Sequence, residues 1–453
     1  PKLLRSYALT ARPATQVLTR RTVHPLARGQ SLTLSNDVFA DLVGGTGTVN
    51  LTAANTHLGG TTVLSGANLG GEGSLSGALT FNGTHNFLFD PSTTGANQYF
   101  RAGSINAGGA TISVVPSGIG SGPGIVVMEA AGGITGTIGV NFLGNSRLSL
   151  SYNGPSQTQL LANYTPASLK WTGTDGTNPT FWDTGVTANW DNGGSSDVFL
   201  AGDNVLFDDT ASEFAVSVQA PIFPGNMTFD GSTDYTVSGA AIGGGGSLSK
   251  NGDAFLFLNT ANTYSGTTTI NAGTLVAGSN TALGSNDGGT TVATGGTLDI
   301  NGKNLGTEII TISGDGGGSG AIVNNGLQQI DAIGRLVLGA NAAIGGAGTR
   351  WDIRNSSPTL DMGGFTLTKT GSNYVGLVSV TVSNPGDIDV SEGTLSIQNS
   401  TTLGGSSANT VTVRPGATLD CYQSGTWTAP EWSLVLEDDS FLSASNGLAI
   451  WNG

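Results

Sequence analysis

The sequence has 453 residues, 73 of them Gly and only 10% charged, with a net charge of −15 and a pI near 4.3. A single compact core rarely grows to that length, whereas stacked repeats extend one core along an axis. So few charges exclude surface helices, a Gly content without a three-residue period excludes collagen, 37% hydrophobic residues exclude wholesale disorder, and the acidic balance excludes nucleic acid as a partner.

Residues 1–30 form a basic extension. Lys2, Arg5, Arg12, Arg20, Arg21 and Arg28 all precede the first acidic residue, Asp37. A positive arm on a negative protein suits either a capping segment or docking onto an acidic neighbour, with Arg20 and Arg21 as the candidate contacts.

Residues 31–168 read as coils of a β-solenoid. Short runs with period two, such as Leu32-Thr-Leu34, Thr48-Val-Asn-Leu51 and Ala78-Leu-Thr-Phe81, are separated by Gly- and Asn-rich corners. Period two marks strands with one buried face, and Gly, Asn and Asp supply the positive φ of tight corners.

Residues 169–245 are rich in Trp and Asp. Trp171, Trp182 and Trp190 are candidates for a sugar-stacking platform or a coil cap, and Asp203, Asp208 and Asp209, with Asp197 nearby, are candidate ligands for one Ca2+. Residues 246–453 return to solenoid coils and contain an internal duplication. Ala272-Gly-Thr-Leu275 and Gly296-Thr-Leu-Asp299 recur as Glu392-Gly-Thr-Leu395 and Ala417-Thr-Leu-Asp420, and Leu248-Ser-Lys-Asn-Gly252 recurs as Leu367-Thr-Lys-Thr-Gly371. The Gly-Thr-Leu unit also returns within each copy after about 23 residues, the length of one solenoid coil. The spacing predicts that Leu275, Leu298, Leu395 and Leu419 point inward in parallel stacks. Glu431-Trp-Ser-Leu-Val-Leu436 and Leu448-Ala-Ile-Trp451 still read as strand, which predicts an open edge and makes Trp451 a candidate assembly contact.

The run Asn262-Thr-Tyr-Ser-Gly-Thr-Thr-Thr-Ile-Asn-Ala-Gly-Thr-Leu275, followed by Ala282-Leu-Gly284 and Gly295-Gly-Thr-Leu-Asp-Ile300, resembles the autotransporter-associated β-strand repeat. Ala54-Asn-Thr56 and Gly60-Thr-Thr62 echo it more weakly near the start. The resemblance implies an all-β, right-handed parallel β-helix, exported through the envelope of a Gram-negative-type bacterium to the surface or the medium. It also implies adhesion or matrix building, with enzymes a minority.

The residues point the same way. A polygalacturonase-like site needs clustered Asp beside Gly-His-Gly and Arg-x-Lys elements, which the chain lacks, and the only histidines are His24, His57 and His85. No apolar stretch is long enough to span a membrane as a helix. The expectation is therefore a non-catalytic surface solenoid without an obligatory cofactor, whose partners are other copies of itself, head to tail, or surface glycans. The competing readings are a carbohydrate-binding module that uses the tryptophans, and a polysaccharide lyase or hydrolase.

Overall fold

A computed structural model describes residues 147–422 without interruption, residues 425–428 and 431–450, and, before residue 147, strands from Val23 onward with some of their connections. Arg20, Arg21 and Trp451 lie outside the described residues. The described residues form strands and one short 3-10 turn, Gly316–Gly318, with no α-helix among them. The architecture is a parallel β-solenoid in two compact units, Pro1–Thr165 and Pro166–Gly453.

The N-terminal unit stacks three parallel faces. One runs from Val23–Leu26 and Leu42–Gly45 through Thr61–Leu64, Ala78–Asn82 and Ser104–Asn106 to Ile134–Thr135. Its core column includes Val63, Phe81, Leu79, Ile105 and Ile134, all buried. A second face runs from Ser31–Leu34 to Gly139–Asn141. The third runs from Ala54–Asn55 to Gly122–Ala130, and there the parallel pattern stops, because Gln159–Tyr164 and Leu148–Tyr152 join it antiparallel. Val23–Leu26 pairs with Leu42–Gly45, so the basic segment contributes a strand to the solenoid.

The C-terminal unit repeats the three-faced plan. On its first face Val205, Met227, Leu248, Thr268, Thr290, Ile310, Leu336, Leu360 and Val382 pair in unbroken register, one from each successive coil, and all are buried. The second face carries Tyr235, Leu256, Leu275, Leu298, Ile322 and Ile344 in the same way. On the third, Trp351, Val375, Leu395 and Leu419 align from coil to coil. Leu275, Leu298, Leu395 and Leu419 are each 0% exposed. Removing such a side chain from water is worth about 1.5–3 kcal/mol, so the columns are the principal source of cohesion.

The duplicated sequences do not occupy the same face. Leu248-Ser-Lys250 lies on the first face and Leu367-Thr-Lys369 on the second, while Leu275 lies on the second and Leu395 on the third. The repeat thus specifies a strand, a corner and the next strand, and not an address on the solenoid.

The corners follow from residue type. Gly273 has φ 65°, and a Cβ there would meet the Ala254 carbonyl oxygen at 2.5 Å; Gly393, its counterpart, has φ 64° and would meet the Gly371 oxygen at 2.5 Å. Only glycine fits both the left-handed backbone and this close stacking of corners. Asn262, fully enclosed, links three coils by accepting from Ile242 N at 3.0 Å and donating to the Ala282 carbonyl at 2.7 Å. The single cysteine, Cys421, is buried on the third face, and burial, aided by the charge of Asp420, pushes its thiol up to about 11.

Candidate functional site

The first strand of the C-terminal unit, Ser168–Trp171, pairs parallel with Asn204–Asp208 and antiparallel with Trp190–Asn192. Between them Phe181–Trp182 pairs parallel with Ala215–Val218 of the next coil, and the chain then leaves the solenoid path as an antiparallel hairpin, Trp190–Asn192 with Ser195–Asp197; Asn189 organises that excursion. Asn189 accepts from Asp175 N at 2.8 Å and donates to the carbonyls of Asn178 and Phe181 at 2.8 and 2.9 Å. This brings Trp171, Trp182 and Trp190 together with Phe199 and Phe207.

The tryptophan rings meet mostly edge to face. Trp171 and Trp190 have centroids 5.0 Å apart at 76°, and Trp182 and Trp190 lie 5.5 Å apart at 63°. Phe207 stacks on Phe229 of the next coil at 4.4 Å, carrying the aromatic column into the solenoid core. All three tryptophans are at most 1% exposed. A sugar needs a free ring face, so the stacking-platform reading of Trp171, Trp182 and Trp190 is corrected: their large apolar area goes into the end of the core. Trp171 Nε1 donates to the Glu213 carbonyl at 2.8 Å, while Trp182 Nε1 and Trp190 Nε1 have no oxygen or nitrogen acceptor. The edge-to-face geometry suits N–H contacts to ring faces at these two positions.

The aspartates are also committed to the backbone. Asp203, 0% exposed, accepts from Ala167 N at 2.8 Å and Leu200 N at 2.9 Å, fixing the entry to the first coil. Asp208 accepts from Thr210 N at 2.9 Å and lies 3.9 Å from the Lys170 ammonium. Asp209 accepts from Ser232 N and Thr233 N in the next coil, and these bonds hold its carboxyl below the usual range. Among the described residues no three His, Cys, Asp or Glu side chains converge as a metal site. Asp203, Asp208 and Asp209, the candidate calcium ligands, each hold a corner here and do not converge. Asp203→Asn is expected to destabilise the unit by about 1–3 kcal/mol, because one of the two acceptor oxygens becomes an NH2 that faces a buried N–H. Adding calcium should shift the melting temperature of neither protein in a calorimetric scan.

Sequence reading missed a set of buried ionisable groups. Lys250 and Lys369 are 2% and 0% exposed. Burial draws their ammonium groups down, to about 8 at Lys250 and about 7 at Lys369, against the pull of Asp253, Asp230 and Asp234 on the first and Glu392 on the second. Glu308, 4% exposed, accepts from Thr290 Oγ1 at 2.5 Å, and burial pushes its carboxyl up to about 7. The signal was parity. Lys250 follows Leu248 by two, Lys369 follows Leu367 by two, and Glu308 precedes Ile310 by two, so each shares a face with a core residue.

On the outer side of the third face a polar network spans successive coils. Arg350 grips Asp352 through two 2.7 Å bonds, reaches Gln398 Oε1 at 3.1 Å and lies 4.7 Å over the Tyr374 ring. Asp420 accepts from Tyr374 Oη at 3.1 Å and Ser396 Oγ at 2.8 Å. On the second face Arg414 bridges Asp389 and Glu437, one coil away on either side. In an acidic chain with few cations, these cations join coils to one another.

No described helix is long and apolar enough to cross a membrane. A family model described as the passenger-associated-transport-repeat matches residues 44–67 and 248–277. The second match contains Lys250, Asn262, Gly273 and Leu275, and the first covers the weaker echo at Ala54-Asn-Thr56 and Gly60-Thr-Thr62. The Adhesin BmaC autotransporter of Brucella suis biovar 1 (strain 1330) is 31% identical over 170 residues, a match that covers 37% of this chain and 4% of that protein. No solved structure matches the chain significantly. The chain is a parallel β-solenoid that carries the passenger-associated-transport repeat, and part of it is similar to part of an autotransporter adhesin.

Proposed function

We propose that this chain is a non-catalytic adhesive and structural solenoid, displayed on or released from the surface of a Gram-negative-type bacterium. The observation that carries the reading is the similarity over 170 residues to an autotransporter adhesin, in a chain whose repeat motifs form coil strands and corners. The interior supports a scaffold: the enclosed side chains of Lys250, Asn262, Glu308 and Lys369 are each bonded to a neighbouring coil. Partners are expected on the long outer faces, as surface glycans or other copies of the chain. A parallel ladder offers the same strand geometry at every level, which favours end-to-end association of copies.

Beads coated with the purified protein test the adhesive part. They are expected to adhere to cultured cells or extracellular matrix several-fold better than albumin-coated beads, and to lose that advantage when the coat is heat-unfolded. Equal adherence of both coats would remove the adhesive reading. Electron microscopy of the same preparation tests self-association, with regular filaments as the expected image and isolated particles at every concentration as the refuting one.

A further inference from the structure

We propose that the corners following Leu248-Ser-Lys250 and Leu367-Thr-Lys369 are ammonium-binding sites, each filled by the chain's own lysine, and that this tethered cation locks one coil to the next. Lys250 Nζ donates to the carbonyls of Asn251 at 2.5 Å, Gly252 at 2.8 Å and Ala272 at 3.2 Å. Lys369 Nζ donates to those of Thr370 at 2.8 Å, Gly371 at 2.8 Å and Glu392 at 3.0 Å. In both sites two acceptors come from the lysine's own corner. The third comes from the following coil, at the residue just before the glycine of Gly-Thr-Leu.

The corners create the need for a cation. Gly252 and Gly371 have positive φ, as do Gly273 and Gly393 one coil on. A Cβ on Gly273 would meet the Gly252 oxygen at 2.6 Å, and one on Gly393 would meet the Gly371 oxygen at 2.5 Å. Corners stacked this closely aim several carbonyl dipoles into one enclosed space, where their negative ends repel. An ammonium presents three donors to three acceptors, whereas a neutral amine has only two hydrogens to give. Hydrogen bonds from a charged donor are also about twice as strong as neutral ones. At the second site Glu392 contributes twice, giving its carbonyl to Lys369 and its carboxylate to Gly371 N at 3.0 Å.

Occurrence of the device on two faces argues that it belongs to the motif. Lys250 is in register with Phe229 and Ile270 on the first face, and Lys369 with Ile344 and Val390 on the second. Their apolar neighbours differ, yet the three acceptors are equivalent.

Chemical rescue tests the proposal. Lys369→Ala and Lys250→Ala remove the atoms that n-propylammonium would replace. Below about pH 7, where both lysines keep their proton, each variant is expected to melt several degrees below the wild-type protein, and n-propylammonium should restore most of that loss. 1-Propanol, of the same length but neutral, and tetramethylammonium, charged but without a donor, should not. Unchanged melting of both variants, or rescue by propanol as good as by propylammonium, overturns the proposal. Should the variants fail to fold, acylation of the native wild-type protein decides. Lys250 and Lys369 are then expected to resist an amine-acylating reagent under conditions that modify Lys170 and Lys303, and acylation of all four at similar rates overturns the assignment.

Discussion

Leu275→Asp is expected to remove about 5 kcal/mol from the C-terminal unit, enough to abolish its cooperative melt or split it into two steps. Leu275 is 0% exposed and lies in register between Leu256 and Leu298, which are equally enclosed. The substitution loses the burial of a leucine, about 2–5 kcal/mol, and leaves a carboxylate in an apolar column. Each coil rests only on its neighbours, so the damage should begin locally and spread by loss of stacking partners. Asn271→Gln, in the same strand but exposed and still carrying the amide donor that Asn271 offers to Asn251 Oδ1, is the control and should change stability by less than about 0.5 kcal/mol. Urea denaturation followed by circular dichroism reads both variants. A Leu275→Asp protein with the wild-type midpoint would contradict the inward placement of the Gly-Thr-Leu leucines.

The second large effect depends on pH. Glu308 has an ordinary carboxyl value of 4.5 and is raised by burial to about 7 in the folded protein. Between these values the folded chain keeps a proton that the unfolded chain releases. The stability slope is therefore negative: Glu308 costs nothing below about 4.5, and its destabilisation grows to a plateau above about 7, about 3 kcal/mol in all. Thr290 Oγ1 offers the carboxylate one donor, and Tyr264, whose hydroxyl is also raised by burial, is near enough to feel its charge. Glu308→Gln removes the titration while keeping the shape. The variant should match wild type near about pH 4 and be more stable by about 3 kcal/mol near about pH 8. A stability difference that stays constant across that range would show that Glu308 does not titrate in the fold.

Much of the fold was legible because the repeat is written in backbone requirements. Gly273 and Gly393 announce corners through positive φ, and the leucine two residues later then has only one face available. Asn262 was visible as a repeated residue, but its bonds to two other coils depend on which segments stack, which local sequence does not state. The tryptophans show the limit clearly. Trp171, Trp182 and Trp190 gave the same signal for a binding platform as for a core, and only the excursion organised by Asn189 decides between them. Asp203, Asp208 and Asp209 show a related limit, because proximity in sequence does not make carboxylates converge when each caps a different corner. Lys250, Lys369 and Glu308 were hidden by the habit of placing charges outside, although their parity with Leu248, Leu367 and Ile310 pointed inward.

One sulfur atom limits how copies of this protein can be joined. The whole sequence contains a single thiol, Cys421, and the fold encloses it and holds it in the unreactive protonated form. In oxidising surroundings an exposed lone thiol would couple chains pairwise, and a sheath of this protein would gradually become covalent. Within residues 1–453 that route is closed, so association of folded copies through these residues does not use a disulfide. A denaturing gel without reductant should then show one band of single chains even when the starting material is a fibre.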